Sequence, residues 1–394
     1  MSSVHAGQCP LASSLAIAIF LTKLPSHHTG EGMTPPLAQD TIEQKPTVLI
    51  VDDEAAPRAA LTQILKEDFN ILTADNGSNA LAVINDHGVD LITLDLKLPD
   101  QSGSDVLREI KRTHREIEVI MVTAYGTLQS AMDCVRHGAA GFLLKPFNAS
   151  EFLSISLQTS QKKQRLDRLR SALADNETLW GPDPDCTQAW QDLMSNYATQ
   201  VKSGLLEVSS RETTSPLIQL VSDLLEAKDR HLVNHGNRVS FYATLVANKL
   251  ELPLAEQQAL SLGALAHDLD LIGGSGSSVL QHDDSRSHHR PDLGARIGRA
   301  MGLPAEAVQI IALHHERWDG TGYPFGLKEE RIPLLGRIVA VAQAFDDFTA
   351  DRPGTTTIPI KEALERIEEQ AGSAFDPSLV EVFCRTIREQ QPPS

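Results

Sequence analysis

Between Thr47 and Phe147 the sequence switches repeatedly between two periods, and this switching restricts the fold more than any other feature. Short β-branched apolar runs (Thr47–Asp52, Asn70–Ala74, Val89–Leu94, Glu118–Thr123 and Gly141–Leu144) alternate with stretches whose apolar residues recur at helical spacing. Ala59, Leu61, Ile64 and Leu65 form one such stretch; Ala80, Leu81, Val83 and Ile84 form another. Five β/α repeats in about 100 residues imply a doubly wound parallel α/β sheet, because parallel strands need crossover helices. In that architecture ligands bind at the C-terminal ends of the strands.

The residues that carry chemistry lie at those ends. Asp52 and Asp53 close the first strand, Asp95 the third, Thr123 the fourth, and Lys145, followed by Pro146, the fifth. A lone Asp at a strand end is usually a turn residue or a helix cap. Five such positions in order point instead to one site. Three converging carboxylates repel unless a cation joins them, and a hard ion with oxygen ligands, Mg²⁺, suits Asp52, Asp53 and Asp95. Asp95 can then attack a phosphoryl group while Lys145 and the Thr123 hydroxyl meet its oxygens. Val51-Asp52-Asp53-Glu54, Leu94-Asp95 with Pro99 and Gly103, Val122-Thr123-Ala124 and Phe142-Leu-Leu-Lys145-Pro146-Phe147 resemble the response-regulator receiver family. The resemblance implies a flavodoxin-like, CheY-like domain whose Asp95 accepts phosphate from a sensor histidine kinase, with Thr123 and Phe142 moving inward as the switch.

Residues 46–150 are therefore expected to be a receiver domain, 151–215 a helical linker and 216–390 an all-α bundle. The linker begins as a polar helix through Arg170 whose sparse apolar positions suggest a solvated or coiled-coil-like segment. Gly181-Pro-Asp-Pro breaks it. Thr187–Val201, Pro216–His231, Ala307–His315, Leu334–Phe348 and Pro359–Gln370 then read as helices. Residues 1–45 read as an unstructured or mis-started extension, with Met33 as an alternative initiator. The apolar run Leu11–Leu21 is too short to span a bilayer and lacks the basic flank of a secretory leader. A net charge of −17 over 394 residues argues against nucleic-acid or membrane partners. Cys9, Cys134, Cys186 and Cys384 show no metal or disulfide spacing, which fits the cytoplasm.

In the C-terminal part His231, His235, His267-Asp268, His288-His289 and His314-His315-Glu316 stand out, with Gly322-Tyr323-Pro324 just beyond. A lone helical His is more often packing than ligand. Adjacent His-Asp and His-His pairs on predicted helices make sense if both members reach one polar object. Imidazoles and carboxylates on facing helices suit Mn, Fe or Zn. Ile311-Ala-Leu-His314-His315-Glu-Arg-Trp-Asp319-Gly-Thr-Gly322-Tyr323-Pro324-Phe-Gly-Leu resembles the signature of the HD-GYP family, a branch of the HD metal-dependent phosphohydrolases. Asp229-Arg-His-Leu-Val-Asn-His235-Gly-Asn-Arg238-Val, His267-Asp268, Arg337-Ile338, Thr349-Ala-Asp351-Arg352-Pro353 and Phe375-Asp376-Pro377 resemble its other segments. The resemblance implies an HD-type helical bundle that hydrolyses cyclic di-GMP at a two- or three-metal site. It makes His235, His267, Asp268, His314 and His315 the retained ligands, Arg352 a contact for ligand phosphate, and Gly322, Tyr323 and Pro324 a partner loop. That partner would be a GGDEF-type diguanylate cyclase.

Three positions depart from the family pattern. Leu271 stands where a lysine beside the scissile phosphate is expected, and Arg290 stands where a ligand histidine is expected, with His289 one residue away. Gln343 stands where a ligand aspartate is expected. The reading that follows is a phosphorelay response regulator, expected to be a homodimer. Its HD-GYP-like output acts in cyclic di-GMP signalling through binding and regulation, with weak or lost catalysis and a partial Fe or Mn site. The alternative is an active cyclic di-GMP phosphodiesterase controlled by phosphorylation of Asp95.

Overall fold

The computed structural model describes residues 45–124, 128–175, 177–180, 184–202, 216–273, 290–350 and 357–390. The chain divides into two compact units, with the division between Arg168 and Leu169.

The first unit is built on five parallel strands: β1 (Thr47–Val51), β2 (Asn70–Ala74), β3 (Leu91–Leu94), β4 (Glu118–Thr123) and β5 (Gly141–Leu144), in the order β2-β1-β3-β4-β5. Helices α1 (Ala55–Leu65), α2 (Gly77–Asp86), α3 (Gly103–Thr113) and α4 (Leu128–Arg136) make the crossovers, and α5 (Ala149–Asp175) follows β5. β1, β3 and β4 are buried on both faces, which is why they read as near-continuous apolar runs. One face packs Leu49, Ile92 and Met121 against Ile84, Leu107 and Cys134. The other packs Ile50, Leu91 and Ile120 against Leu61, Leu65 and Phe152. The register pairs Val51 with Leu94 and Thr123 with Leu144, so the residues that follow these positions emerge side by side at one edge.

α5 departs from the expected solvated linker. The expected limit at 150 falls just inside the helix, and Phe152 two residues later is fully buried in the core of the first unit. Ser156, Thr159, Ser160, Lys163, Leu166 and Leu169 are also buried. Ser156 and Thr159 remain satisfied because their hydroxyls donate to the carbonyls of Phe152 and Ile155 one turn back. Lys163 lies 3.1 Å from Asp90 and 2.5 Å from Asp167, and Asp90 also accepts from the Thr47 amide at 2.8 Å. A composition count sees polar residues here; only the fold shows that Ser156, Thr159 and Lys163 have partners.

The described residues of the second unit are helical: α6 (Pro184–Lys202), α7 (Pro216–Lys228), α8 (Arg230–Lys249), α9 (Leu254–Ala266), α10 (Arg290–Ala300), α11 (Ala305–Leu313), α12 (Leu334–Thr349), α13 (Ile360–Glu369) and α14 (Pro377–Glu389), with short 3₁₀ turns. The expected helix from Pro216 to His231 is broken at Asp229, whose side chain accepts from the His231 amide and starts α8. One core joins α8, α9, α12, α13 and α14 through Val239, Ala243, Leu260, Val339, Phe345, Leu364 and Phe383.

α8 and α9 approach unusually closely. A Cβ on Gly236 would lie 2.5 Å from the Leu265 carbonyl oxygen, so no larger residue fits there without separating the helices. Gly88, by contrast, has open space around it. We therefore expect Gly236→Ala to destabilise the second unit by about 1–3 kcal/mol, as overpacking does, and Gly88→Ala to be near neutral. Urea unfolding of the full chain checks both; equal midpoints would refute the close-packing account.

Candidate functional sites

At the sheet edge of the first unit the expected residues converge. Asp52 and Asp95 are buried and Thr123 is completely so, while Asp53 is exposed. Lys145 Nζ donates to Asp52 Oδ2 at 2.6 Å and to Asp95 Oδ2 at 2.8 Å. Burial of Lys145 opposes its charge, but the two carboxylates prevail and raise its pKa. The second oxygen of Asp95 accepts from the Lys97 amide at 3.1 Å. The group thus brings Asp52, Asp95 and the Lys145 ammonium together at one edge, with Asp53 next to Asp52 just after β1. Phe142 of β5 packs partly buried against the core beneath.

The second site is assembled from helix ends. His267-Asp268 and His314-His315 do not lie inside helices as expected, but directly after α9 and α11. The reason is geometric. Neighbouring side chains diverge by about 100° within a helix, whereas a chain leaving the helix can turn both toward one point. His235 enters from the second turn of α8. His235 Nε2 lies 3.2 Å from His267 Nε2 and 3.8 Å from Asp268 Oδ2, and His267 Nε2 lies 3.5 Å from the same oxygen. Among the described residues these three are the one group of His, Cys, Asp or Glu whose ligand atoms all lie within 4.8 Å of one another.

Each ring is oriented through its other nitrogen. His267 Nδ1–H donates to the Ala264 carbonyl at 2.7 Å and His314 Nδ1–H to the Ile311 carbonyl at 3.0 Å. His235 Nδ1–H donates at 2.6 Å to Asp346 Oδ2, which is fully buried. The protons sit on the Nδ1 side, so Nε2 lone pairs turn toward the cluster. Among the described residues His314 Nε2 is buried with no hydrogen-bond partner, a costly state that a cation would relieve. Burial lowers the pKa of His267 and lowers that of His314 well below the ordinary value, which keeps both neutral and ligand-competent. Burial alone would raise Asp268, but the surrounding imidazoles hold it well below the usual carboxylate range. The donor set fits a borderline divalent ion.

Asp346 was not among the residues singled out in the sequence. It accepts from Arg238 through both oxygens, at 2.6 and 3.0 Å, as well as from His235. Its pKa is lowered to about 2: burial pushes it up, and the His235 and Arg238 hydrogen bonds outweigh that. Asp346 and His235 are 111 positions apart, so no local pattern could pair them. Gln343 lies one turn earlier on α12 and is half-buried. Leu271 lies in the 3₁₀ turn after Asp268. Arg352, His288 and His289 lie outside the described residues, as does the side chain of Arg290. His231 is exposed.

The loop after His315 is tightly built. Tyr323 stacks on His315 with centroids 4.8 Å apart and planes at 22°, and His315 in turn contacts His314 at 3.9 Å. Gly320 and Gly326 take positive φ values of 81° and 62°. A Cβ on Gly322 would lie 2.3 Å from the Arg317 nitrogen.

Comparison with known proteins agrees with this division. Residues 48–156 match the response regulator receiver domain and residues 219–379 the HD domain. A protein described as a cyclic di-GMP phosphodiesterase from Thermotoga maritima is 29% identical over 354 residues, covering 87% of this chain and 91% of the relative. The cyclic di-GMP phosphodiesterase response regulator RpfG of Xanthomonas campestris pv. campestris is 28% identical, covering 86% of this chain and 87% of the relative. The chemotaxis protein CheY of Bacillus subtilis is 36% identical and matches 27% of this chain over 90% of its own length. The chain therefore combines a response regulator receiver domain with an HD domain, an arrangement that matches these cyclic di-GMP phosphodiesterase relatives. Receivers and HD phosphodiesterases are in general divalent-metal proteins.

Two outcomes follow from this geometry. Asp346→Asn removes the charge that aligns His235 and is expected to weaken Mn²⁺ binding by about 10- to 100-fold, measured by calorimetry. Without metal, the second domain should lose stability as pH falls through 6.5, the ordinary His value. There the unfolded chain takes up protons that His267 and His314 refuse when folded. The stabilisation from Asp346 acts lower, complete above its ordinary value of 3.8 and lost as pH falls toward about 2. Urea midpoints for the second transition that are equal at pH 7.5 and 5.5 would contradict the neutral-histidine account.

Proposed function

We propose that Asp95 takes a phosphoryl group from a sensor histidine kinase, with Mg²⁺ held by Asp52, Asp53 and Asp95. Lys145 balances the incoming charge, and the Thr123 hydroxyl donates to a phosphoryl oxygen. The HD-GYP domain then acts in cyclic di-GMP signalling, in the cytoplasm, as a binding and regulatory module in which hydrolysis is weak or lost. His235, His267 and Asp268 hold one Mn or Fe ion, with His314 and His315 beside it. When bound, that ion supplies Lewis-acid charge next to a ligand phosphate. The protein residues orient the ring nitrogens, and burial keeps His267 and His314 unprotonated.

The observation that carries this reading is the single cluster of three ligands among the described residues. Leu271 stands beside it in place of a cation, and Gln343 in place of a carboxylate. One ion's worth of donors supports binding; a bridging water activated between two ions needs more. Arg352 is assigned to a phosphate of the ligand, and the Gly322-Tyr323-Pro324 loop to a GGDEF-type diguanylate cyclase partner. Pairing of receivers into a homodimer carries the signal. The retained His267-Asp268 dyad and the described activities of the relatives favour the alternative, an active phosphodiesterase under Asp95 control.

The deciding experiment is hydrolysis of cyclic di-GMP by the purified protein, loaded anaerobically with Fe(II) or Mn(II), with and without beryllofluoride. We expect saturable binding without turnover, and turnover to appear in the triple variant Leu271→Lys, Arg290→His, Gln343→Asp. Turnover by the parent that disappears in His267→Ala/Asp268→Ala establishes the alternative. Beryllofluoride should also shift the oligomeric state of the parent and leave Asp95→Asn unchanged; an equal shift in both would remove Asp95 from the switch.

A further inference from the structure

Glu316 follows the histidine pair directly, yet it is built into a different task. Its side chain is only 4% exposed. Both carboxylate oxygens are used, and both face one loop. Oε1 accepts from the Phe325 amide at 2.7 Å and Oε2 from the Leu327 amide at 2.9 Å. No arginine or lysine is paired with it among the described residues. A buried carboxylate costs several kcal/mol unless hydrogen bonds replace its hydration, and here backbone amides do so. Backbone donors are fixed by the course of the chain. The carboxylate therefore sets where residues 325–327 run and, through the short Tyr323-Pro324-Phe325 link, where Tyr323 sits.

The other contacts of the loop point the same way. The Tyr323 amide donates to the His315 carbonyl at 3.3 Å, and the Tyr323 ring stacks on the His315 ring at 4.8 Å. Gly322 leaves no room for a side chain, since a Cβ would lie 2.6 Å from Glu316 Cα. Asp319 accepts from the Thr321 amide and hydroxyl at 2.9 and 2.6 Å, which fixes the first half of the loop. The result is a run of rings in contact: Tyr323 on His315, His315 on His314 at 3.9 Å, His314 on His267 at 5.1 Å, and His267 on His235 at 4.9 Å. His315 is the half-buried outer member of this run.

We infer that Glu316 is a positioning residue for the histidine cluster: by clamping the loop at Phe325 and Leu327 it holds Tyr323 against His315 and so keeps the His315 ring turned toward the ion site. The inference rests on the reading of the cluster as an ion site. It adds a residue that touches neither ion nor ligand. It also gives the loop a second task besides meeting a partner. Phe325, 70% exposed at the loop's surface, belongs to the outer side and serves as the control.

The test uses the full-length protein with histidine rings isotopically labelled for NMR, and Mn²⁺ alone as the metal probe. The His315 ring signal, identified by its loss in His315→Asn, should lie upfield in the parent because Tyr323 stacks on it. It should move to one common position in Tyr323→Leu and Glu316→Ala and to an intermediate one in Glu316→Gln, and stay unmoved in Phe325→Ala. Affinity for Mn²⁺ should fall about tenfold in Glu316→Ala and in Tyr323→Leu, the low end of what an outer orienting contact contributes, and no further in the double variant. A His315 signal unchanged in Glu316→Gln and in folded Glu316→Ala overturns the inference, and so do affinity losses that add in the double variant. If the parent binds no Mn²⁺, the ion-site reading falls, and the ring signal still decides whether Glu316 positions His315. If Glu316→Ala does not fold, Glu316→Gln, which keeps size and one acceptor, carries the comparison alone.

Discussion

The site in the second domain hangs on the contact between α8 and α9 at Gly236. There the backbone of one helix lies against the Leu265 carbonyl of the other, closer than any side chain would allow. His235 precedes Gly236, and His267 comes two residues after Leu265. The helix contact therefore sets the 3.2 Å separation of the two Nε2 atoms. The remaining features are responses to that closeness. Two imidazoles so near each other in a buried space cannot both be charged, and burial holds His267 neutral. Their Nδ1 protons need acceptors, found in a helix-end carbonyl for one ring and in Asp346 for the other. Asp346 is buried and charged, which is tolerable because Arg238 reaches it through two bonds.

The receiver solves the same problem from the opposite sign. Its strand register delivers carboxylates to one edge, and Lys145 spans Asp52 and Asp95 so that neither is left unpaired. A buried charge set needs a counter-charge in both sites. Here it is the Lys145 ammonium, shared between two carboxylates; in the bundle it is the Arg238 guanidinium, which holds Asp346 against His235.

Leu271 and Gln343 are neutral where the resemblance leads one to expect charged groups, and none of the caps or glycine approaches described above involves their side chains. A domain can thus retain its fold and a three-donor cluster while the groups expected to hold a second ion and steady a developing charge are absent.

Much of the first domain was legible in the sequence, because strand and helix periods, turn residues and strand-end chemistry all lie within a few residues of one another. The five strands, their parallel arrangement and the edge with Asp52, Asp95, Thr123 and Lys145 follow from that local information. So do the all-helical character of the second unit and the identity of its His-Asp and His-His pairs. What the tertiary structure decided lies between distant segments. The alternation of residues in α5 looked solvated, yet Lys163 finds Asp90 across more than a whole βα unit. Pro216–His231 had one continuous helical period, yet Asp229 caps a new helix within it. Asp346 was one of two adjacent acids on α12 until packing set it against His235, and Glu316 was only the neighbour of the His314-His315 pair until its oxygens met the amides of residues 325 and 327. Periodicity reports which face of an element is buried; it says nothing of which atom on another element lies opposite. Ring orientation, proton position and charge pairing depend on that second fact, so the residue types of the site were set by the sequence and their roles by the packing of α8, α9, α11 and α12.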